Sequence, residues 1–340
     1  MRRDQSLVHA VYRACRRFLL SQVMPPITRS PLCALSCIVG VSLLAGILLA
    51  VLFLPGRTSV PGASKLRGAD NARQLLQEDF RLHGEEHWRM LLPTEGRSKE
   101  NFIACLADAL RARPLKERAL DFALMHLTPG LEPDSLWLEF GVWTGRSLSM
   151  IGKRSKALGR TGKVFGFDSF RGLPEDWRNG SLGEAWAKRW TAKGAFDLGG
   201  KPPDFFVDPE VAEFVVGWFN ESLPDFLARE AEPISFVHID SDLYSSAATV
   251  LALITPRLHS GAVIVFDELV NYPGYQEGEV RALYEWLHSD RFRESGLSAV
   301  QVIGYPGPDL ITENKALSAA IVKQRGEGRH YPQDVVLRVW

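Results

Sequence analysis

The stretch ISFVHIDSDLYSS, residues 234–246, begins as a core strand and ends in acid. Ile234, Phe236, Val237 and Ile239 surround His238, and Asp240 and Asp242 follow two residues apart. A short apolar run of this kind, closed by polar residues, reads as a strand buried on both faces. Side chains alternate along a strand, so His238 and Asp240 share one face. Core-strand residues therefore deliver an imidazole and carboxylates to one place.

Four other runs repeat the pattern: SLWLEFG (135–141), KVFGFD (163–168), EFVVGWF (213–219) and AVIVFDE (262–268). Helix-length segments, among them 145–158, 244–258 and 277–290, separate most of them. Strand and helix in alternation predict an α/β fold with a parallel sheet covered on both faces. LSAVQVIGY (297–305) and SAAIVKQ (318–324) are expected to add two last strands, as an antiparallel pair. Upstream, residues 70–93 and 100–127 show helical spacing, with Leu75, Leu76, Phe80 and Leu82 on one face and Leu106 and Leu110 four apart.

Ligands of an open parallel sheet sit beyond the carboxyl ends of its strands. The acids fall there: Glu139, Asp168, Asp240, and the pair Asp267 and Glu268. LEFGVWTGRS (138–147) is a strand, a glycine turn and a helix start. Gly141 and Gly145 let backbone approach a ligand, and the helix offers free amides. The spacing departs from the G-x-G-x-x-G of a dinucleotide site. Asp168 ends the next strand, where a carboxylate can accept both hydrogen bonds of a ribose diol, or can cap a turn. Together these residues point to a cofactor bearing a nucleoside, and leave S-adenosylmethionine and NAD as alternatives.

Adjoining parallel strands end about 5 Å apart. Like carboxylates at that separation repel unless a proton or cation intervenes. Asp240, Asp267 and Glu268 are thus candidate ligands of a hard divalent cation such as Mg2+. Asp242 could join them or cap the helix that follows. His238 could be a general base or a hydrogen-bonded core histidine.

Lys plus Arg and Asp plus Glu both number 40, so formal charge is zero and nothing suggests nucleic acid as partner. Cys15, Cys33 and Cys37 precede residue 40 and only Cys105 follows, too few for a thiolate zinc cluster in the body. Residues 31–55, PLCALSCIVGVSLLAGILLAVLFLP, carry no charge. About 20 apolar residues suffice for a membrane helix, whereas a cleaved signal core is about 7–15. Arg2, Arg3, Arg13, Arg16, Arg17 and Arg29 precede the stretch against one acid, Asp4. The expectation is a basic cytoplasmic tail (1–31), a signal anchor (32–54) and a linker or stem (55–95) that opens in a Pro/Gly/Ser-rich stretch (55–68), with the body in a secretory lumen. The alternative is an organellar transit sequence, since residues 1–30 are Arg-rich and nearly acid-free.

EFGVWTG, FDSFRGLPEDW (167–177), GWFNESLP (217–224), HIDSDLYSS and VFDE resemble, in that order, the class I S-adenosylmethionine-dependent methyltransferases of the macrocin O-methyltransferase (TylF-type) family. The likeness covers about residues 135–290. It implies a Rossmann-like, doubly wound, mostly parallel seven-stranded sheet over residues 96–340. It also implies S-adenosylmethionine as donor and Mg2+-assisted transfer to a hydroxyl of a sugar, glycan or small polyol. On that resemblance Glu139, Gly141 and Gly145 hold the methionine moiety and Asp168 the ribose, with Ser169 and Phe170 near the adenosine. Asp240, Asp267 and Glu268 are the metal ligands, and Asp240 doubles as base. The family has an aspartate pair and tyrosine where this chain has Asp267, Glu268 and Leu269, which weakens the case for Glu268. Residues 171–210 are expected to form a lid on the acceptor side, rich in aromatics: Trp177, Trp186, Trp190, Phe196, Phe205 and Phe206. Tyr272 and Tyr275 lie in a second candidate acceptor loop. Homo-oligomerisation is left open. A NAD(P)-dependent oxidoreductase or epimerase would want the G-x-G-x-x-G turn and a Tyr-x-x-x-Lys pair, neither present. An inactive tethered binding module would have no use for crowded acids.

Overall fold

The computed structural model describes residues 90–177, 191–203, 208–307 and 332–340. One sheet of eight strands organises them, in the order β1-β7-β8-β6-β5-β2-β3-β4. The strands are β1 (Leu91–Leu92), β2 (Leu136–Phe140), β3 (Val164–Asp168), β4 (Glu213–Val216), β5 (Ile234–Ile239), β6 (Leu258–Phe266), β7 (Val300–Gly304) and β8 (Val335–Val339). β4, β3, β2, β5 and β6 run parallel. β8 is antiparallel to β6 and β7, and β7 to β1.

The five parallel strands are those expected from the five apolar runs. The count is eight rather than seven because Leu91–Leu92 add a two-residue strand beside β7, so the sheet takes in residues ahead of the boundary expected at 96. The antiparallel pair is present with a different second member: β8 comes from Val335–Val339. The stretch 318–324 lies outside the described residues, as do the apolar stretch 32–54 and most of 70–93. Among the described residues no helix is long and apolar enough to cross a membrane.

Among the described residues seven α-helices flank the sheet: α1 (Lys99–Ala112), α2 (Ala119–Phe122), α3 (Arg146–Ala157), α4 (Phe219–Arg229), α5 (Tyr244–Ile254), α6 (Glu279–Leu287) and α7 (Asp290–Glu294). Alternation divides each strand's side chains between two cores. Leu138, Phe140, Val237, Ile239, Ile264 and Phe266 pack under α1, α4, α5 and α6. Trp137, Phe236, Val263 and Val265 pack under α2 and α3. Gly166 on β3 permits this second contact, since a Cβ there would lie 2.5 Å from the Leu148 side chain of α3.

Chain order runs outward from β2 through β3 to β4, then returns to β5 on the other side of β2. The switch point therefore lies between β2 and β5, and a crevice opens beyond their carboxyl ends. The strands remain joined there, with the Asp240 amide donating to the Phe140 carbonyl at 2.8 Å.

Candidate active site

A cavity of about 760 Å³ occupies the crevice. Gly141, Val142, Trp143, Asp168 and Ser169 line it, as do Asp240, Ser241, Asp242 and Glu268. Trp143, Phe196, Trp218 and Phe219 add aromatic walls. Gly141 has φ +91°, and a Cβ on it would fall 1.7 Å from the Asp240 carbonyl oxygen, so the two strand ends meet only because this residue is glycine. Gly145, also left-handed at φ 80°, is the N-cap of α3.

Asp168 accepts three backbone amides: Val142 at 2.9 Å, Trp143 at 2.8 Å and Phe170 at 2.7 Å. Its carboxylate fastens the glycine turn to the end of β3. Oxygen lone pairs remain for further donors on the cavity side. Phe170 does not line the cavity; it is buried against Phe214, ring centroids 5.6 Å apart. Nor does Glu139, which is wholly buried on β2 with Oε1 2.8 Å from His238 Nδ1.

The acids expected at one place are together. Asp240, Asp242, Glu268 and Glu279 feel one another's charge. Loss of solvent, then the charges of Asp267, Asp242, Glu139 and Glu279, pushes Asp240 well above the usual carboxylate range. Burial, then Asp267, Asp242, Asp240 and Glu279, does the same to Glu268. Asp242 is nearly buried, in a left-handed conformation at φ 63°. Leu243, not Asp242, takes the N-cap position of α5, and that end has no side-chain cap. One oxygen each of Asp240 and Asp267 and a ring nitrogen of His238 lie within 4.8 Å of one another, and Glu268 is outside that group.

Glu279 was not expected from the sequence. It opens α6, is wholly buried, and neither carboxylate oxygen has a hydrogen-bond partner among the described residues. Burial, then Asp242 and Asp267, pushes it well above its ordinary range. Arg118 Nη2 stands 3.6 Å from Asp267 Oδ1, a second contact without a signal in the sequence. Of the aromatic segment 171–210, Trp177 packs on Tyr272 at 5.6 Å and Phe196 on Trp143 at 5.5 Å. Trp186, Trp190, Phe205 and Phe206 lie outside the described residues. Tyr272 and Tyr275 are buried and contribute no wall to the cavity.

Residues 138–269 match a sequence family described as "Methyltransferase domain". Over that stretch the chain is similar to a methyltransferase domain. Its match spans β2 through β6 and hence the whole crevice. A curated relative from Streptomyces olivaceus, 8-demethyl-8-(2,3-dimethoxy-alpha-L-rhamnosyl)-tetracenomycin-C 4'-O-methyltransferase, is 28% identical over 138 residues, 38% of this chain. The chain spans about half of that relative's length, 51%. Among solved structures, the calicheamicin methyltransferase CalS11 aligns at 19% identity and TM-score 0.42, over 84% of this chain and 98% of its own. The O-methyltransferase NovP aligns at 20% identity and TM-score 0.34, over 49% of this chain and 67% of its own.

Proposed function

We propose that the methyltransferase domain transfers the methyl group of S-adenosylmethionine to a hydroxyl of a sugar, glycan or small polyol, assisted by a divalent cation. The observation that carries this reading is that one cavity is shared by the Gly141–Asp168 turn and by Asp240, Asp242 and Glu268. A donor held at the turn would present its methyl group toward the acids. Asp168, with lone pairs to spare, would take the ribose hydroxyls, beside Ser169. Trp143 and Phe196 offer faces to a sulfonium or a sugar ring. A saccharide acceptor is further supported by the Streptomyces relative, whose name is that of a 4'-O-methyltransferase of a rhamnosyl-bearing tetracenomycin.

The acceptor oxygen attacks the methyl carbon in line with the departing sulfur; the C–S bond breaks, S-adenosylhomocysteine leaves, and the hydroxyl proton passes to a carboxylate. Asp240 and Asp242 are the acids placed for that proton. Positioning of the two reactants supplies much of the rate. The residues fit a cation: carboxyls whose charges raise one another's proton affinity sit beside a Glu268 oxygen that has no partner among the described residues. Asp240 and Asp267 would hold the ion, with Glu268 on the cavity side. When bound, a divalent ion lowers the pKa of an acceptor hydroxyl and orients it. The lumenal placement expected from residues 1–54 is part of this proposal.

The test is incubation of the full-length chain with labelled donor and a panel of free sugars, glycans and polyols, with and without chelator. Chelator-sensitive transfer of label to a saccharide hydroxyl is the expected result. Donor binding without transfer to any member of the panel would overturn the acceptor class.

A further inference from the structure

Three adjoining strands put Glu139, His238 and Asp267 in a line across one face of the sheet. Glu139 and His238 are register partners between β2 and β5. Val265 of β6 is the partner of His238, and Asp267 follows two residues later on the same face. His238 is 1% exposed and Glu139 is fully buried. Neither lines the cavity. A base for an acceptor hydroxyl must reach it, so His238 is badly placed for the proton transfer that its sequence position suggests.

Its two nitrogens face different surroundings. Nδ1 lies 2.8 Å from Glu139 Oε1. A carboxylate accepts only, so Nδ1 carries a proton, and in the neutral tautomer that fits this bond Nε2 holds the lone pair. Nε2 is buried with no hydrogen-bond partner among the described residues. It stands 4.0 Å from Asp267 Oδ1, too far for a hydrogen bond, and a ring nitrogen of His238 lies within 4.8 Å of an oxygen each of Asp240 and Asp267. A buried lone pair beside two carboxylate oxygens calls for something electron-poor between them. Arg118 Nη2 stands 3.6 Å from the same Asp267 oxygen.

We propose that His238 Nε2 is the third protein ligand of the cation, with Asp240 and Asp267, and that Glu139 orients the imidazole from behind. This deepens the metal component of the proposed function and rests on it. A carboxylate holding the far nitrogen of a ligating histidine is the recurrent support of such sites. It gives the wholly buried Glu139 a role that donor binding does not. An imidazole also changes which ion is preferred. Mg2+ is a hard ion that takes oxygen and retains water, whereas nitrogen ligands favour the first-row transition ions. The site selects ions such as Mn2+ over Mg2+.

The experiment uses the full-length chain stripped with chelator and titrated separately with Mn2+ and Mg2+ by calorimetry, with pulsed EPR on the Mn2+-loaded protein. Mn2+ is expected to bind at least about tenfold tighter than Mg2+ and to show hyperfine coupling to a protein nitrogen. His238→Gln removes that coupling and narrows the preference. Glu139→Gln weakens Mn2+ by about 10–100-fold while S-adenosylhomocysteine affinity stays unchanged. Mn2+ bound without nitrogen coupling in the unmodified chain overturns the proposal, and needs no variant to fold. So does loss of S-adenosylhomocysteine affinity in Glu139→Gln with Mn2+ affinity intact. Because these readouts are of binding, a chain that holds Mn2+ through nitrogen yet transfers no methyl group sinks the proposed function and leaves this inference standing.

Discussion

The Asp168 carboxylate accepts the backbone amide of Val142 at 2.9 Å, across the ends of two neighbouring strands. The same oxygen takes the Trp143 amide and the other takes Phe170. One side chain thereby fixes the shape of the glycine turn on which the proposed donor would rest, so its loop-fastening role and its proposed ribose contact are coupled.

Asp168→Ala is accordingly expected to weaken S-adenosylhomocysteine binding by at least about tenfold, since hydrogen bonds to a charged group are worth about 1.5–3 kcal/mol each. Asp168→Asn, which keeps one carbonyl acceptor, should fall between the two. Calorimetric titration measures both. Unchanged affinity in the Ala variant would leave Asp168 as a fastener alone.

Gly141→Ala is expected to cost more than an ordinary left-handed glycine. Its Cβ would meet the Asp240 carbonyl at 1.7 Å, and both groups are backbone, so neither strand end can yield locally. The control is Gly159, at φ +65° with nothing within 4 Å. Gly159→Ala should lose about 1 kcal/mol and Gly141→Ala at least about 3 kcal/mol by denaturant melts. Equal losses would mean the approach of β2 and β5 is not tight.

Which parts were legible in the sequence follows from what local pattern can encode. β5 is nearly continuous in apolar residues and was read to within one residue of its end. β6 starts at Leu258, four residues before the expected start, because pairing with Ile234 extends it through His259 and Gly261. β1 has two residues, too few to show a period. Asp168 could be anticipated because it ends a strand, and Asp240 and Asp267 because each directly follows one. The Glu139–His238 contact could not: it joins residues 99 apart and depends on strand register. Glu279 opens a helix and reads as an ordinary acidic first turn; only the packing of α6 buries it.

Asn220-Glu221-Ser222 is a glycosylation sequon on the first turn of α4, and Asn220 is exposed. If the body faces a secretory lumen, expression in cells with that pathway should give a glycosidase-sensitive mass shift that Asn220→Gln reduces. Cytosolic protease access to the body in sealed membranes would reverse the assigned orientation. The other sequon, Asn179-Gly180-Ser181, lies outside the described residues.

Asp240→Asn should abolish transfer while S-adenosylhomocysteine binds within about threefold of the unmodified chain, because the donor contacts assigned here fall on the Gly141–Asp168 side. The cation-free variant should also be no less stable than the parent, since the substitution removes one charge from a crowded set. Parallel loss of donor affinity and turnover would mean that Asp240 has been given the wrong role.

The crowded acids also set a pH dependence whose sign is opposite to that of a salt-bridged carboxylate. Asp240, Glu268 and Glu279 have folded-state pKa values raised well above 3.8, 4.5 and 4.5. A group with a raised carboxyl pKa binds its proton more tightly when folded, so its stabilisation is full below the ordinary carboxylate pKa and is lost as pH rises through the folded value. The cation-free chain should therefore melt at higher temperature near pH 6 than near pH 8, roughly the window above ordinary carboxylate titration. Saturating divalent cation should reverse that slope, because ligand carboxylates bind metal only when deprotonated. Glu279→Gln, which removes one buried carboxyl without hydrogen-bond partners among the described residues, should flatten the cation-free slope. A cation-free chain whose stability rises from pH 6 to pH 8 would show that these carboxyls are paired in solution, and the electrostatic case for a bound cation would fall with that result.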